Sequence, residues 1–131
     1  MIRNIVRGDV VYLDLGQHPN SNIQSGLRPC VVVSNNFNNK YSKVINVLPF
    51  SAQLKKNPVH VRVKPKDVDG FFEKESDSLA EQIITKDKKD IISKVGHLDE
   101  SSVIMKEINK SIGVQLGLIS GGEEKLYATE S

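Results

Sequence analysis

Gly26-Leu27-Arg28-Pro29-Cys30-Val31-Val32-Val33-Ser34-Asn35 decides how the chain is read. It is a turn-prone approach, one cation, and then a strand entering a core. Gly26 accepts backbone angles closed to other residues. Pro29 fixes its own φ and pushes Arg28 towards an extended conformation. Cys30 to Val33 is apolar and mostly β-branched, as a buried strand requires. Arg28 therefore stands at the rim of a strand, on stiff backbone beside a flexible loop. There it either holds an anion or covers apolar surface with its stem.

Upstream, Arg7-Gly8-Asp9 signals a turn into a first strand, Val10 to Leu15. Val11, Leu13 and Leu15 share one face, and Val10, Tyr12 and Asp14 the other. Gly16 to Gly26 has no periodicity and is long for a loop in so small a chain, a length that often carries function. Downstream, Asn35 to Ser42 reads as a turn or wide hairpin loop. Val44 to Leu48 is a third strand, stopped by Pro49. Val59 to Lys64 is a fourth, with three valines on one face and His60, Arg62 and Lys64 on the other.

Pro65 to Ser76 is a polar connection around Gly70, with Phe71-Phe72 tucked against the body. Ser78 to Ile84 reads as a fifth strand, and Thr85 to Lys94 as holding a short helical turn. A helix is expected from Glu100 to Leu118, capped by Asp99. Its apolar stripe is Ile104, Ile108, Ile112, Leu116 and Ile119. Gly113 and Gly117 permit close packing within it, and Gly121-Gly122 ends it. Short strands with a terminal helix predict a mainly β fold, a small strongly curved barrel with the helix against it. Residues 1–120 form one domain on this reading, and 121–131 a polar, flexible tail.

Composition narrows the function. No apolar run approaches the roughly 18 residues of a membrane span, and the start lacks a secretory h-region, so a cytoplasmic location is expected. The single cysteine, Cys30, excludes an internal disulfide and sits among valines as a small hydrophobe. A formal charge of +2 is too small to prove nucleic-acid binding. The charges are segregated, however. Lys55, Lys56, Arg62, Lys64 and Lys66 precede Asp67, Asp69, Glu73, Glu75, Asp77 and Glu81. That pattern gives either a basic groove for a phosphate backbone or two solvated faces. The acidic run near Asp67 to Asp77 reads as solvated surface.

Metal and nucleotide signatures are missing from the sequence: HExxH, CxxC, the P-loop and the dinucleotide fingerprint. His18, His60 and His97 are far apart, and no metal site or cofactor is expected. No nucleophile elbow is present. What remains is a site made from groups at strand ends. Arg28 carries a five-donor fork matched to phosphate. Ser51, beyond the third strand, gives its hydroxyl either to the same phosphate or to its own turn. His60 either moves a proton near neutrality or sits on a basic surface. Glu81, flanked by apolar residues, is either a general base with a raised pKa or an edge-strand carboxylate.

These residues also carry a family resemblance. Arg7 to Leu15, followed by Gln24-Ser25-Gly26-Leu27-Arg28-Pro29-Cys30-Val31-Val32-Val33-Ser34-Asn35, resembles the opening of the MazF/PemK (Kid-like) toxins of bacterial toxin–antitoxin modules. The likeness continues through Asn39-Lys40-Tyr41-Ser42, Pro49-Phe50-Ser51-Ala52-Gln53, Pro58-Val59-His60-Val61, Glu81-Gln82-Ile83, Asp87-Lys88 and His97-Leu98-Asp99. It spans roughly residues 5 to 119, and the combination is specific, especially for the branch found in Gram-positive bacteria.

The resemblance implies an SH3-like barrel of the MazF/CcdB/Kid type. It implies a metal-independent, sequence-specific endoribonuclease acting on single-stranded RNA, mRNA in particular, as a homodimer restrained by a cognate antitoxin. The implied reaction is attack of the 2′-hydroxyl on phosphorus, leaving a 2′,3′-cyclic phosphate and a 5′-hydroxyl. The catalytic arginine falls on Arg28, its hydroxyl partner on Ser51 and an acidic residue on Glu81. Gln82 matches a glutamine that looks structural. The expected RNA contacts are Gln24, Tyr12, Phe50, Gln53, Lys55, Lys56 and His60, with Tyr12, Phe50 and Tyr41 as candidate stacking groups. Two positions depart from the family: Ile23 replaces a loop glutamate and Ile84 a frequent arginine. Two rival readings share the fold class, a non-catalytic RNA-binding or regulatory protein and a CcdB-like gyrase poison.

Overall fold

The computed structural model describes residues 4–121. Strands β1 (Asp9–Asp14) and β2 (Leu27–Val32) form the hairpin whose loop spans Gly16 to Gly26. Helix α1 (Asn36–Tyr41) follows, then β3 (Val44–Ser51), β4 (His60–Val63), β5 (Asp69–Gly70) and β6 (Ser76–Leu79). Strands β7 (Ile84–Asp87) and β8 (Ile91–His97) precede helix α2 (Val103–Gln115). Along the sheet the order is β4-β6-β3-β2-β1-β8-β5, with β7 paired to β3. The result is mainly β, a half-barrel of the SH3-like kind expected, with α2 packed across β4 and a 3-10 turn at Ala80–Gln82.

Both faces of the central strands are buried, which explains the unbroken valines. Val10, Val31, Leu48 and Phe50 join Val59, Val61 and Val63, Met105 and Ile108 in one core under α2. Val11, Leu13, Leu15, Cys30, Val32, Ile45 and Val47 form a second core on the opposite face. A strand buried on both sides needs no polar alternation. The loop after β1 is closed at its base, where Leu15 N–H donates to the Gly26 carbonyl and Gly26 N–H to that of Gly16, both at 2.9 Å. Gly26 has φ +73, the left-handed region its place in the sequence suggested.

Several boundaries differ from those expected. The segment after Asn35 is a helix, because the Asn35 side chain accepts the Asn38 N–H at 2.8 Å and caps it. Pro49 does not stop the third strand. On one side of β3, β7 pairs with Val44 to Val47 and β6 with Phe50 and Ser51. Pro49 falls in the gap between these two partners, where no ladder donor is needed. The fifth strand is two strands. The turn at Ala80–Gln82 carries the chain from β6 to β7, past that same gap.

Residues 85–94 hold the short turn expected, at Lys88–Asp90, but then enter β8, which the sequence pattern did not indicate. Its pairing with β1 shifts register twice, between Val10 and Val11 and between Tyr12 and Leu13. Of the Phe71-Phe72 pair only Phe72 is buried; Phe71 is exposed. Helix α2 begins later than expected, with Ser102 as its cap accepting the Met105 N–H at 3.1 Å. Asp99 instead closes the preceding turn, accepting from Ser101 N–H and Oγ. Of the apolar stripe, Ile108 is fully buried and Ile104 and Ile112 partly so, whereas Leu116 and Ile119 are exposed.

The helix stops before Gly121-Gly122. Gly117, at φ +75, donates to the Val114 carbonyl and Leu118 N–H to that of Gly113, at 3.1 and 2.8 Å. This pair of bonds satisfies the last carbonyls in a Schellman arrangement. Apart from Gly121, the expected polar tail lies outside the described residues.

Candidate active site

A cleft of about 450 Å³ opens where the β1–β2 loop overhangs the ends of β2, β3 and β4 and the turn at Ala80–Gln82. Arg28, Ser51 and Glu81 all line it, as do Gln24, Gln53, Lys55 and His60. The fold brings these together by simple routes. Arg28 lies in β2, opposite Leu13 of β1. Ser51 ends β3, which reaches the cleft because Pro49 does not stop it. Glu81 rides the turn that α2 packs against.

The Arg28 Nε donates to the Ser25 carbonyl at 3.1 Å, which anchors the guanidinium to the base of the loop. Among the described residues no carboxylate lies within ion-pair distance of Arg28, so the fork is open to an anion. Ser51 is buried and its Oγ accepts the Gln53 N–H at 3.2 Å, which leaves its proton to donate. His60 Nε2 lies 2.6 Å from a Glu81 carboxylate oxygen. Its Nδ1 is buried, has no hydrogen-bond partner, and faces the Asp77 carboxylate at 4.0 Å.

Asp77 corrects the reading of the acidic run as solvated surface. It is 1% exposed and accepts from Lys55 N–H at 3.0 Å and Arg62 Nε at 2.6 Å. Arg62 stands opposite Asp77 across the β4–β6 ladder and also reaches Glu75 at 3.7 Å. At these positions the basic and acidic segments are thus neither a groove nor two separate faces, because they pair with each other. Only the β4–β6 register brings them together, and no single segment announces it.

Three expected RNA contacts fall elsewhere. Phe50 is 1% exposed, its ring edge-on to Phe72 at 5.0 Å between centroids, so it offers no face to a base. Core demand took it, since Phe50 is on the α2-facing side of β3. Lys56 is exposed but outside the lining of the cleft. Tyr12 lines a second, smaller hollow of about 220 Å³ with Leu27, Phe71 and, again, Arg28. Tyr41 projects from α1, exposed and under the Lys40 ammonium. Residues not anticipated in the cleft include Ser21, Asn22 and Asn57. Their only signal was membership of the two loops that close it.

Gln82 does the bracing suggested for it. Its Oε1 accepts the Gln24 N–H at 2.7 Å and its Nε2 donates to the Asn22 carbonyl at 3.0 Å. Ile23, between those two, is exposed at the cleft, and Ile84 packs against the second core. Cys30 is buried, its thiol pushed up to about 12 by burial against the opposing pull of the Lys86 and Arg28 charges. Among the described residues no group of three or more His, Cys, Asp or Glu side chains is placed to hold a metal ion, and no helix is long and apolar enough to cross a membrane.

The fold and site define a small, mainly β protein whose barrel-like sheet presents an arginine and a serine at neighbouring strand ends, on one polar cleft. Comparison makes the family plain. Residues 6–116 match the PemK-like, MazF-like toxins of type II toxin-antitoxin systems, and this chain belongs to that family. It is 35% identical to endoribonuclease EndoA of Bacillus subtilis over 117 residues, 88% of this chain and 97% of the relative. It is 36% identical to endoribonuclease MazF of Staphylococcus saprophyticus over 112 residues, 86% of this chain and 91% of the relative. Among solved structures it resembles a mycobacterial endoribonuclease in complex with its cognate antitoxin. The TM-score is 0.73 at 24% identity, over 90% of this chain and 100% of that one. The likeness to the Gram-positive branch and the fold class are as the sequence led one to expect.

Proposed function

We propose that this chain is a toxin endoribonuclease that cuts single-stranded RNA at a short sequence, with mRNA as its cellular substrate. The observation that carries the reading is the convergence of Arg28, Ser51 and Glu81 on one polar cleft. The two named endoribonuclease relatives, each matched over most of its length, support it.

In the reaction the RNA 2′-hydroxyl attacks the adjacent phosphorus, and charge grows on the non-bridging oxygens. The Arg28 fork and the Ser51 hydroxyl bind that charge more strongly than they bind the ground state, which lowers the barrier. Arginine does not give up its proton in proteins. Proton transfer therefore falls to Glu81, which faces the cleft, while Gln24, Gln53 and Lys55 hold the strand. In-line attack needs an unpaired nucleotide, so single strands are cut and DNA, lacking the nucleophile, is not.

The protein works in the cytoplasm as a homodimer, held inactive by a cognate antitoxin. Membership of a toxin–antitoxin family supports the antitoxin. The exposed Leu116, Leu118 and Ile119 at the end of α2 supply apolar surface for a second copy.

Purified protein and a long single-stranded RNA test the proposal. Discrete fragments ending in 2′,3′-cyclic phosphate and 5′-hydroxyl are expected. Intact RNA at every protein concentration would overturn it and leave the non-catalytic and gyrase-directed readings.

A further inference from the structure

His60 occupies a position that RNA contact alone does not explain. Its side chain is only 8% exposed, yet both ring nitrogens face carboxylates: Nε2 touches Glu81 at 2.6 Å and Nδ1 faces Asp77 at 4.0 Å. Nδ1 is buried without any hydrogen-bond partner. A buried polar atom left unpaired in a folded protein calls for a reason. A neutral ring with its proton on Nε2 would aim a bare Nδ1 lone pair at the Asp77 charge. A ring carrying a proton on each nitrogen meets a carboxylate on both sides.

Charged groups from several elements surround the ring. From β6, Asp77 is held by Lys55 N–H and by Arg62 Nε, so it stays in place behind the ring. From the turn at Ala80–Gln82, Glu81 reaches the ring with a carboxylate whose side chain is 32% exposed and opens on the cleft. Glu107 and Lys110 of α2, one of each sign, line the groove on the far side of His60. Across the cleft stand Arg28 and Lys55.

Resting on the nuclease reading, we propose that Asp77, His60 and Glu81 form the proton donor to the leaving 5′-oxygen. Glu81 faces the substrate, and His60 is the positioning residue that supplies its proton. The 2′-oxygen forms its bond to phosphorus and its proton passes to water. The bond from phosphorus to the 5′-oxygen breaks, with its electron pair going to that oxygen. The 5′-oxygen then takes the proton shared by the Glu81–His60 pair, and the pair is recharged from solvent. The reaction consumes no further reagent.

A sulfur leaving group needs no proton, which gives a direct test. A short RNA spanning a cut site mapped on a long single-stranded RNA is made twice, with oxygen and with sulfur at the bridging 5′ position. The His60→Gln protein should cut the oxygen substrate about 10²–10⁴-fold more slowly than wild type. It should cut the sulfur substrate at a near wild-type rate. Equal slowing on both substrates would overturn the donor role, and so would unchanged rates on both. If His60→Gln does not fold, Glu81→Gln reads the same sulfur effect from a more exposed position. Failure of the wild-type protein to cut any RNA would instead sink the nuclease reading on which this rests.

Discussion

The side chain of Gln82 holds the backbone of Gln24, with a companion bond to Asn22 two residues earlier in the same loop. One amide thereby spans the cleft, from the turn that carries Glu81 to the loop anchored by Arg28 at Ser25. The two bonds fix residues 22–24 over the space where a strand of RNA would lie.

Gln82→Ala removes both bonds and leaves Glu81 untouched. Each bond contributes about 1 kcal/mol net. The expected result is a KM raised by about tenfold, with kcat much less affected, since the loop orders substrate more than it touches phosphorus. Amide hydrogen exchange at residues 22–24 should speed up together with that rise. Unchanged exchange there, or a loss confined to kcat, would show that the clamp does not govern the loop.

Arg28→Ala removes the fork aimed into the cleft. Losing a transition-state donor of this kind costs about 2.7–4 kcal/mol, roughly a hundred- to thousand-fold in kcat. The fold should survive, because among the described residues the Arg28 side chain gives one hydrogen bond, to Ser25, and Arg28 sits at the edge of the core. Ser51→Ala should slow the reaction too, but it also strips the acceptor from Gln53 N–H, so some stability goes with it. Kinetics paired with thermal unfolding separate the two. An Arg28→Ala protein that cuts RNA at the wild-type rate would remove phosphate binding from this cleft.

How far the site could be read beforehand depends on what kind of contact makes it. Arg28 was legible because Pro29 and the valines after it fix a strand locally, and that strand needs no distant partner to be recognised. The helix stripe through Ile108 was legible for the same reason. Phe50 was not, because its face is decided by which side of β3 meets α2. Asp77 was not, because a carboxylate between two serines looks solvated until β4 brings Arg62 against it. Strand β8 escaped because β1 pairs with it through two register shifts that break a simple alternation. The misjudged residues are those whose surroundings are set by pairing across long stretches of chain.

The end of α2 offers two glycines with opposite expectations. Gly117 sits at φ +75, and an added Cβ there would meet nothing within 4 Å. Gly117→Ala therefore isolates backbone strain, about 1–2 kcal/mol, and should lower Tm by several degrees. Gly113 lies within the helix, where alanine is favoured over glycine by about 1 kcal/mol. An added Cβ meets only the Ile119 side chain, at 3.1 Å, and Ile119 is exposed and free to shift. Gly113→Ala should be neutral or stabilising. Equal losses at the two positions, read by thermal melts, would contradict the assigned helix end.

Cys30 links the second core to pH. Burial raises its thiol from 9.0 to about 12, because a thiolate between β1 and β3 would lose its water. Below pH 9 both folded and unfolded chains keep the proton, and the thiol contributes no pH dependence. Between about 9 and 12 the unfolded chain releases it while the folded chain does not, so folding loses stability as pH rises. The slope from this one group approaches about 1.4 kcal/mol per pH unit across that window. Cys30→Ala lowers stability near neutral pH by removing a buried atom, yet it should flatten this alkaline decline. Denaturant melts at pH 8 and pH 10.5 on both proteins measure the difference. The same burial predicts that a thiol reagent labels native Cys30 only as fast as the chain unfolds. Rapid labelling at pH 8 under native conditions would mean that the second core is open where the fold requires it closed.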